Sequence, residues 1–477
     1  MSFFRLRTFL ALLLLLLSGH RRADAYSVLT HEQLIDLAWQ NSIVPLLLSR
    51  YPGLTPAQIE EARAYAYGGC VIQDIGYYPF GDMTYSNLTH YVRSGDFVVS
   101  LFRNADNADE LAFAVGALSH YIGDTVGHPG ATNPAVAIEF PKLRAKYGPL
   151  VNYAQGRRQH VQTEFGFDID EIAHHRVAPV RYLRHVGLQV SVRQLALAYY
   201  QTYGIAEDFT GARKRRFNVS GYRFAVHTFI PRVAYAVTLL HRKHEPADIG
   251  SPERVEMDKE VAAIATENNW QAYRRHAGIG TYALAAFIFI VPKIGPLKLV
   301  DVKGPTQTSE ADYLHSVVLS TAALRQRLAS FTPPVNLRSA NAEAISKSTQ
   351  SPLPPAQPPP ANSAGQIARP IQDPRHPLPN RDLDTGLVVQ PGGYPLTDST
   401  YADLLHRLTR SPAQPIPPGI KQDIQAYYAD PASPITTKKD PSAWAQVQAD
   451  LVTLADMPTN AEPEPYPTYG DDAANSQ

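Results

Sequence analysis

From about residue 30 to residue 335 the apolar residues of this chain recur every three or four positions, with no sustained one-for-one alternation. That period belongs to the helix, because residues three and four apart share a helix face while strand neighbours point to opposite faces. It predicts an all-α fold. Thr55-Pro56-Ala57-Gln58 reads as a cap, a first-turn proline and a capping-box partner that open a helix running through Tyr67. Asn107 with Glu110 repeats the device, and Leu111, Val115, Leu118 and Ile122 follow as an apolar stripe. Similar patterns lie near 135–146, 158–175, 190–203, 222–243, 252–273 and 309–329. Residues 282–291 are apolar throughout and too short to span a bilayer, which predicts a buried helix; an interfacial segment touching lipid is the alternative.

Four regions are expected along the 477 residues. Residues 1–25 read as an export signal: Arg5 and Arg7, an apolar run at 9–17, then Ala23-Asp24-Ala25 as the cleavage pattern. The mature chain would begin at Tyr26 and pass to the periplasm or the medium. Residues 26–335 are expected to form one multi-helix domain, the part of the chain in which any catalytic site is sought. Residues 336–385 carry Pro354, Pro355, Pro358, Pro359 and Pro360 amid Ala, Ser and Gln, the composition of an extended linker. Residues 386–477 are expected to be a small helical extension, with short helices near 399–408 and 443–454 and a tail from 461.

Composition narrows the chemistry. Lys plus Arg and Asp plus Glu are both 44, so a generally basic nucleic-acid-binding surface is not indicated and no stable nucleic-acid partner is expected. Cys70 is the single cysteine, which excludes an intramolecular disulfide and fits buried packing. His120-x-x-x-Asp124-x-x-x-His128 is the strongest local signal: helical positions four apart line up, and imidazole with carboxylate is what a catalytic zinc site accepts. Gly127 and Pro129 flank His128, so the helix is expected to break there. His160-x-x-x-Glu164 repeats the pairing, and His31, Asp74 and His90 lie upstream. With cysteine absent from this set and carboxylates abundant, an open catalytic site is favoured over a closed structural one.

This order of residues resembles the zinc-dependent phospholipase C superfamily, which also includes single-strand nucleases. The resemblance implies an all-α domain with three zinc ions. One would be held by Asp74, His90, His120 and Asp124; a second by His128, His160 and Glu164. The third would take the Tyr26 amine and carbonyl, His31 and a bridging Asp124. It further implies phosphodiester hydrolysis by a zinc-activated water, with Asp74 the first and Glu164 the second candidate for positioning or deprotonating that water. The closing His-x-x-x-Glu matches the phospholipase form, whereas the nucleases close with His and Asp. Tyr26 stands where the best-known members have Trp; the His120–His128 gap is shorter and the His128–His160 gap longer than in the best-studied phospholipases. A phospholipid or other phosphodiester substrate is expected, with peripheral membrane contact. A nuclease-type phosphodiesterase is the alternative, and a metal-stabilised envelope scaffold the second. Tyr77, Tyr78 and Phe80 could form an apolar approach surface for lipid, or simply pack a loop.

Overall fold

The computed structural model describes residues 28–78, 81–207, 209, 219–241, 252–274, 276–292, 301–302, 304–331 and 376–460. Helix follows helix throughout, and the only β pairings among the described residues are isolated bridges, Arg381 with Val388 and Ile416 with Thr459. The capping chemistry explains several starts. The Thr55 side chain accepts from Gln58 N while the Gln58 side chain accepts from Thr55 N, so both orphan donors are satisfied at the head of Pro56–Gly69. Asn107 caps Ala108–Gly127 in the same way, but Glu110 takes the Asp106 N–H instead of the Asn107 one, so the reciprocal half is missing. Asn152 and Gln155 form a full capping box at the head of Tyr153–Ala173, which the spacing had placed from 158.

The Ala108–Gly127 helix runs through the centre of the molecule. Its apolar stripe is buried, and so are His120 and Asp124 on the face between. It meets Pro56–Gly69 at unusually close range. A Cβ on Gly116 would lie 2.3 Å from Ala66 O, and one on Gly69 2.1 Å from Phe113 O, so only glycine lets these backbones touch. That contact sets the Cys70 carbonyl beside the His120 ring. Cys70 itself is buried, and burial pushes its thiol well above the ordinary range, as packing rather than reactivity requires.

Three differences from the sequence expectations have physical reasons. The helix does not break at His128: it widens into a π-helical turn, His128–Thr132, and continues as Asn133–Glu139, the wider turn absorbing Pro129. The stretch at 135–146 becomes two helices, Asn133–Glu139 and Pro141–Tyr147, because Pro141 starts a new first turn. The apolar segment forms the helix Ile279–Ile290, but only one face is buried. Ala285 and Ile288 pack on Val233, Ala236 and Val237, whereas Ile279 is 90%, Phe289 75% and Ile290 76% exposed.

The C-terminal region also departs from expectation. The linker was drawn to residue 385, yet Leu378, Arg381, Asp382, Leu383 and Asp384 are buried against the N-terminal helices. Leu378, Leu383, Tyr401, Leu404 and Leu405 share one hydrophobic core with Tyr85 and Leu88, so the extension is not a separate body. Besides the two expected helices, Pro395–Thr409 and Pro441–Asp456, a third runs over Pro418–Tyr427. Residues 336–375 and the tail from 461 lie outside the described residues, as does the expected export signal at 1–25.

Candidate metal centre

Six elements bring the titratable residues together. His31 comes from Val28–Ala38, Asp74 from the 3-10 turn Ile72–Gly76, and His90 from Met83–Tyr91. His120 and Asp124 project from Ala108–Gly127, with His128 on the π turn that follows. His160 and Glu164 lie one turn apart on Tyr153–Ala173. All eight are buried. Asp168, on the same helix, fixes the first element: it accepts from Leu29 N and Thr30 N at 3.2 Å each and from the Thr30 hydroxyl, holding that helix start over the site.

Asp124 sits at the middle. Its Oδ2 is 3.1 Å from His120 Nε2 and 3.5 Å from His90 Nε2; its Oδ1 is 3.3 Å from His31 Nε2 and 3.7 Å from His128 Nε2. At one end, Asp74 Oδ1 is 3.2 Å from His90 Nε2 and 3.9 Å from His120 Nε2. At the other, Glu164 Oε1 is 2.9 Å from His160 Nε2 and 3.3 Å from His128 Nε2. His31 stacks on His120 with ring centres 4.2 Å apart.

The opposite edges of three rings decide what the cluster can hold. His90 Nδ1 lies 2.7 Å from Ser86 O, His120 Nδ1 3.0 Å from Cys70 O, and His128 Nδ1 3.0 Å from Leu383 O. A carbonyl only accepts, so each Nδ1 carries a proton, and each ring turns its Nε2 inward, where it can hold either a second proton or a metal ion. His90 Nε2 and His120 Nε2 then face each other at 3.4 Å. At that distance a proton or a metal ion must lie between them. Metal-binding imidazoles are oriented in this manner, with the far N–H on a carbonyl. The buried oxygens of Asp74, Asp124 and Glu164 accept no well-directed hydrogen bond among the described residues; they face imidazole nitrogens only. The donor set therefore fits zinc.

Electrostatics agrees. Burial would lower His90, but Asp124 and Asp74 lift it to about 10; burial would lower His128, but Asp124 and Glu164 lift it to about 10. The cage draws positive charge to these positions. Burial pushes the Asp74 carboxyl up to about 6 against the pull of His120 and His90, while His120 and His128 keep Asp124 well below the carboxylate range despite its burial.

Residues 30–207 match the family described as zinc dependent phospholipase C. The match makes this segment, 178 of the 477 residues, similar to that family. No curated protein and no solved structure matches the chain. The phospholipase C segment contains all eight cage residues, and three groupings within metal-binding reach emerge: His31, His120 and Asp124; Asp74, His90 and His120; and His128, His160 and Asp384.

Asp384 was not anticipated. It lies beyond the phospholipase C segment, in a turn that reaches back over the site, with its Oδ1 3.5 Å from His128 Nδ1. The turn is held firmly: Leu383 N donates to His90 O, Asn133 Nδ2 donates to Asp384 O, and Tyr91 and Tyr394 both donate to Asp384 Oδ2. Asp382 accepts from Asp384 N and Thr385 N, an Asx turn whose Asp-x-Asp-Thr-Gly text was the one available signal.

The aromatic residues proposed for substrate are not on the surface. Tyr78 is buried in the core beside Tyr222, and Tyr77 is buried with its ring centre 5.4 Å from that of His90. They pack, and so offer no exposed approach surface; their apolar rings gain more from burial than from facing water. Tyr26 and Phe80 lie outside the described residues. One further acidic group, Asp170 with His174 and Glu310, is already neutralised by Arg176 and Arg254.

Proposed function

We propose that the cage makes this chain a zinc-dependent phosphodiester hydrolase acting on phospholipids in the manner of a phospholipase C. The observation that carries the reading is the pair of inward Nε2 atoms of His90 and His120, fixed by their carbonyl partners and bracketed by Asp74 and Asp124. Asp74, His90, His120 and Asp124 hold one zinc, and His128, His160 and Glu164 a second. His31 and Asp124 hold a third, together with the Tyr26 amine freed by cleavage after Ala25. When bound, zinc polarises phosphate oxygens and lowers the pKa of water towards neutrality.

The chain's own residues do the rest. Asp168 anchors Leu29 and Thr30, three and four residues after the proposed new terminus at Tyr26. Asp74 takes the proton of the attacking water, and Glu164 is the second candidate for that task. Export to the periplasm or the medium belongs to the same reading, because the amine ligand exists only after cleavage. The closing His160-x-x-x-Glu164 supports phospholipid over nucleic acid, as does the balanced charge.

Two measurements test this. Metal content is compared between the chain beginning at Tyr26 and one extended by a residue: two or three zincs with one lost on extension is expected, and little metal in either sinks the reading. Asp74→Asn is then assayed on a simple diester, on phosphatidylcholine and on single-stranded DNA. A fall on the order of 10²–10⁴ in rate is expected for a lost proton acceptor. Near wild-type turnover with metals retained removes Asp74 from the role, and preference for DNA moves the assignment to the nuclease branch.

A further inference from the structure

The helix Ile279–Ile290 carries no charged residue, and its outward stripe, Ile279, Tyr282, Ala286, Phe289 and Ile290, faces water. Spacings of three and four put these side chains on one face. A soluble chain gains nothing from such a face, and contiguous apolar exposure of this kind marks an interaction surface. No helix among the described residues is long and apolar enough to cross a membrane.

Beside this helix opens a cavity of about 1060 Å³, whose lining includes Ile279, Leu284 and Phe287 together with Arg181, Arg184, Arg232 and Arg274. The charges bearing on half-buried Arg184 are those of Arg232 and Arg181; burial and these two neighbours hold it below the usual guanidinium range. Like charges gathered without a carboxylate between them suit an anion. Apolar stripe and cationic pocket together have the chemistry of a lipid–water interface, where rings and aliphatic groups enter the acyl boundary and guanidiniums meet phosphate.

We propose that the Ile279–Ile290 face and the adjoining arginine pocket dock this protein on an anionic phospholipid bilayer. The surface is tied to the cage through one helix. Phe165 and Ile169, which follow Glu164 on Tyr153–Ala173, pack against the helix pair that carries the stripe. Glu164 and Ile169 are five residues apart, about 7.5 Å along a helix axis. Docking face and cage thus belong to one packed body, and docking would occur whether or not the cage hydrolyses diesters.

Flotation of the full chain with vesicles of phosphatidylcholine, alone or mixed with phosphatidylglycerol, tests the proposal. Binding to the mixed vesicles is expected, weakened by salt. Phe289→Ser with Ile290→Ser should weaken it more than about tenfold, because two large apolar side chains leave the bilayer. Arg181→Gln and Arg232→Gln should each cost about fivefold on mixed vesicles and nothing on phosphatidylcholine alone. All four positions are exposed or surface-lining, so turnover of a soluble diester should not change. Wild-type protein that stays off both vesicles, or variants that float as well as wild type, would overturn the proposal. A lipid-free dimer that the serine variants abolish would overturn it too, by giving the face to a second copy.

Discussion

The two ends of the cage are built from different parts of the chain. The Asp74–His90–His120 end is internal to the phospholipase C segment: its ligand atoms, and the Ser86 and Cys70 carbonyls behind the rings, all fall within residues 30–207. The His128–His160–Glu164 end borrows its support, since His128 Nδ1 leans on Leu383 O and Asp384 from the C-terminal turn. An imidazole and its orienting acceptor are one functional unit. The lesson is that a site complete in its inward-facing residues is still incomplete in what aims them.

The largest effect should come from the residue at the middle of the cage. Asp124→Asn leaves four imidazoles facing a neutral amide, and metal affinity should fall on the order of a thousandfold at the two positions Asp124 would serve, beside His90 with His120 and beside His31. Metal per chain after dialysis measures it; full metal content would break the idea of a bridge. Asp384→Asn should separate the ends. About ten- to a hundredfold weaker metal binding is expected where His128 sits, with the Asp74 end unchanged, as read by competition with a chelator. Equal loss at both ends would erase the contrast.

A smaller effect is expected at Gly386, which has φ +71 and would set a Cβ 2.5 Å from Thr125 O. Gly386→Ala should cost about 1–3 kcal/mol in urea unfolding and loosen only the borrowed end. The smallest is a control outside both. Thr55→Ala removes the cap of Pro56–Gly69, for about 1 kcal/mol of stability with full metal content.

The contrast also explains what could be read from sequence. Helical period gave the fold class, because burying one face of a helix forces a regular recurrence on the text. His120, Asp124 and His128, like His160 and Glu164, were legible because ligands on one helix face must be four apart. Their far neighbours were not. Leu383 contributes a backbone oxygen, which any residue could supply, and Asp384 is a single carboxylate close behind a proline-rich stretch. The fate of apolar residues was equally hidden: Tyr77 and Tyr78 went inside while Phe289 and Ile290 stayed outside, and hydropathy alone does not say which partner surface exists.

His128 and Leu383 are separated by 255 positions. A contact of that span closes late, since loop-closure entropy must be met before it forms. During synthesis from the N-terminus every inward-facing cage residue through Glu164 precedes the turn that steadies His128. The C-terminal turn thus works as a late-closing support: the inward-facing residues can gather before it, while His128 takes its working orientation only once Leu383 and Asp384 have packed beside it.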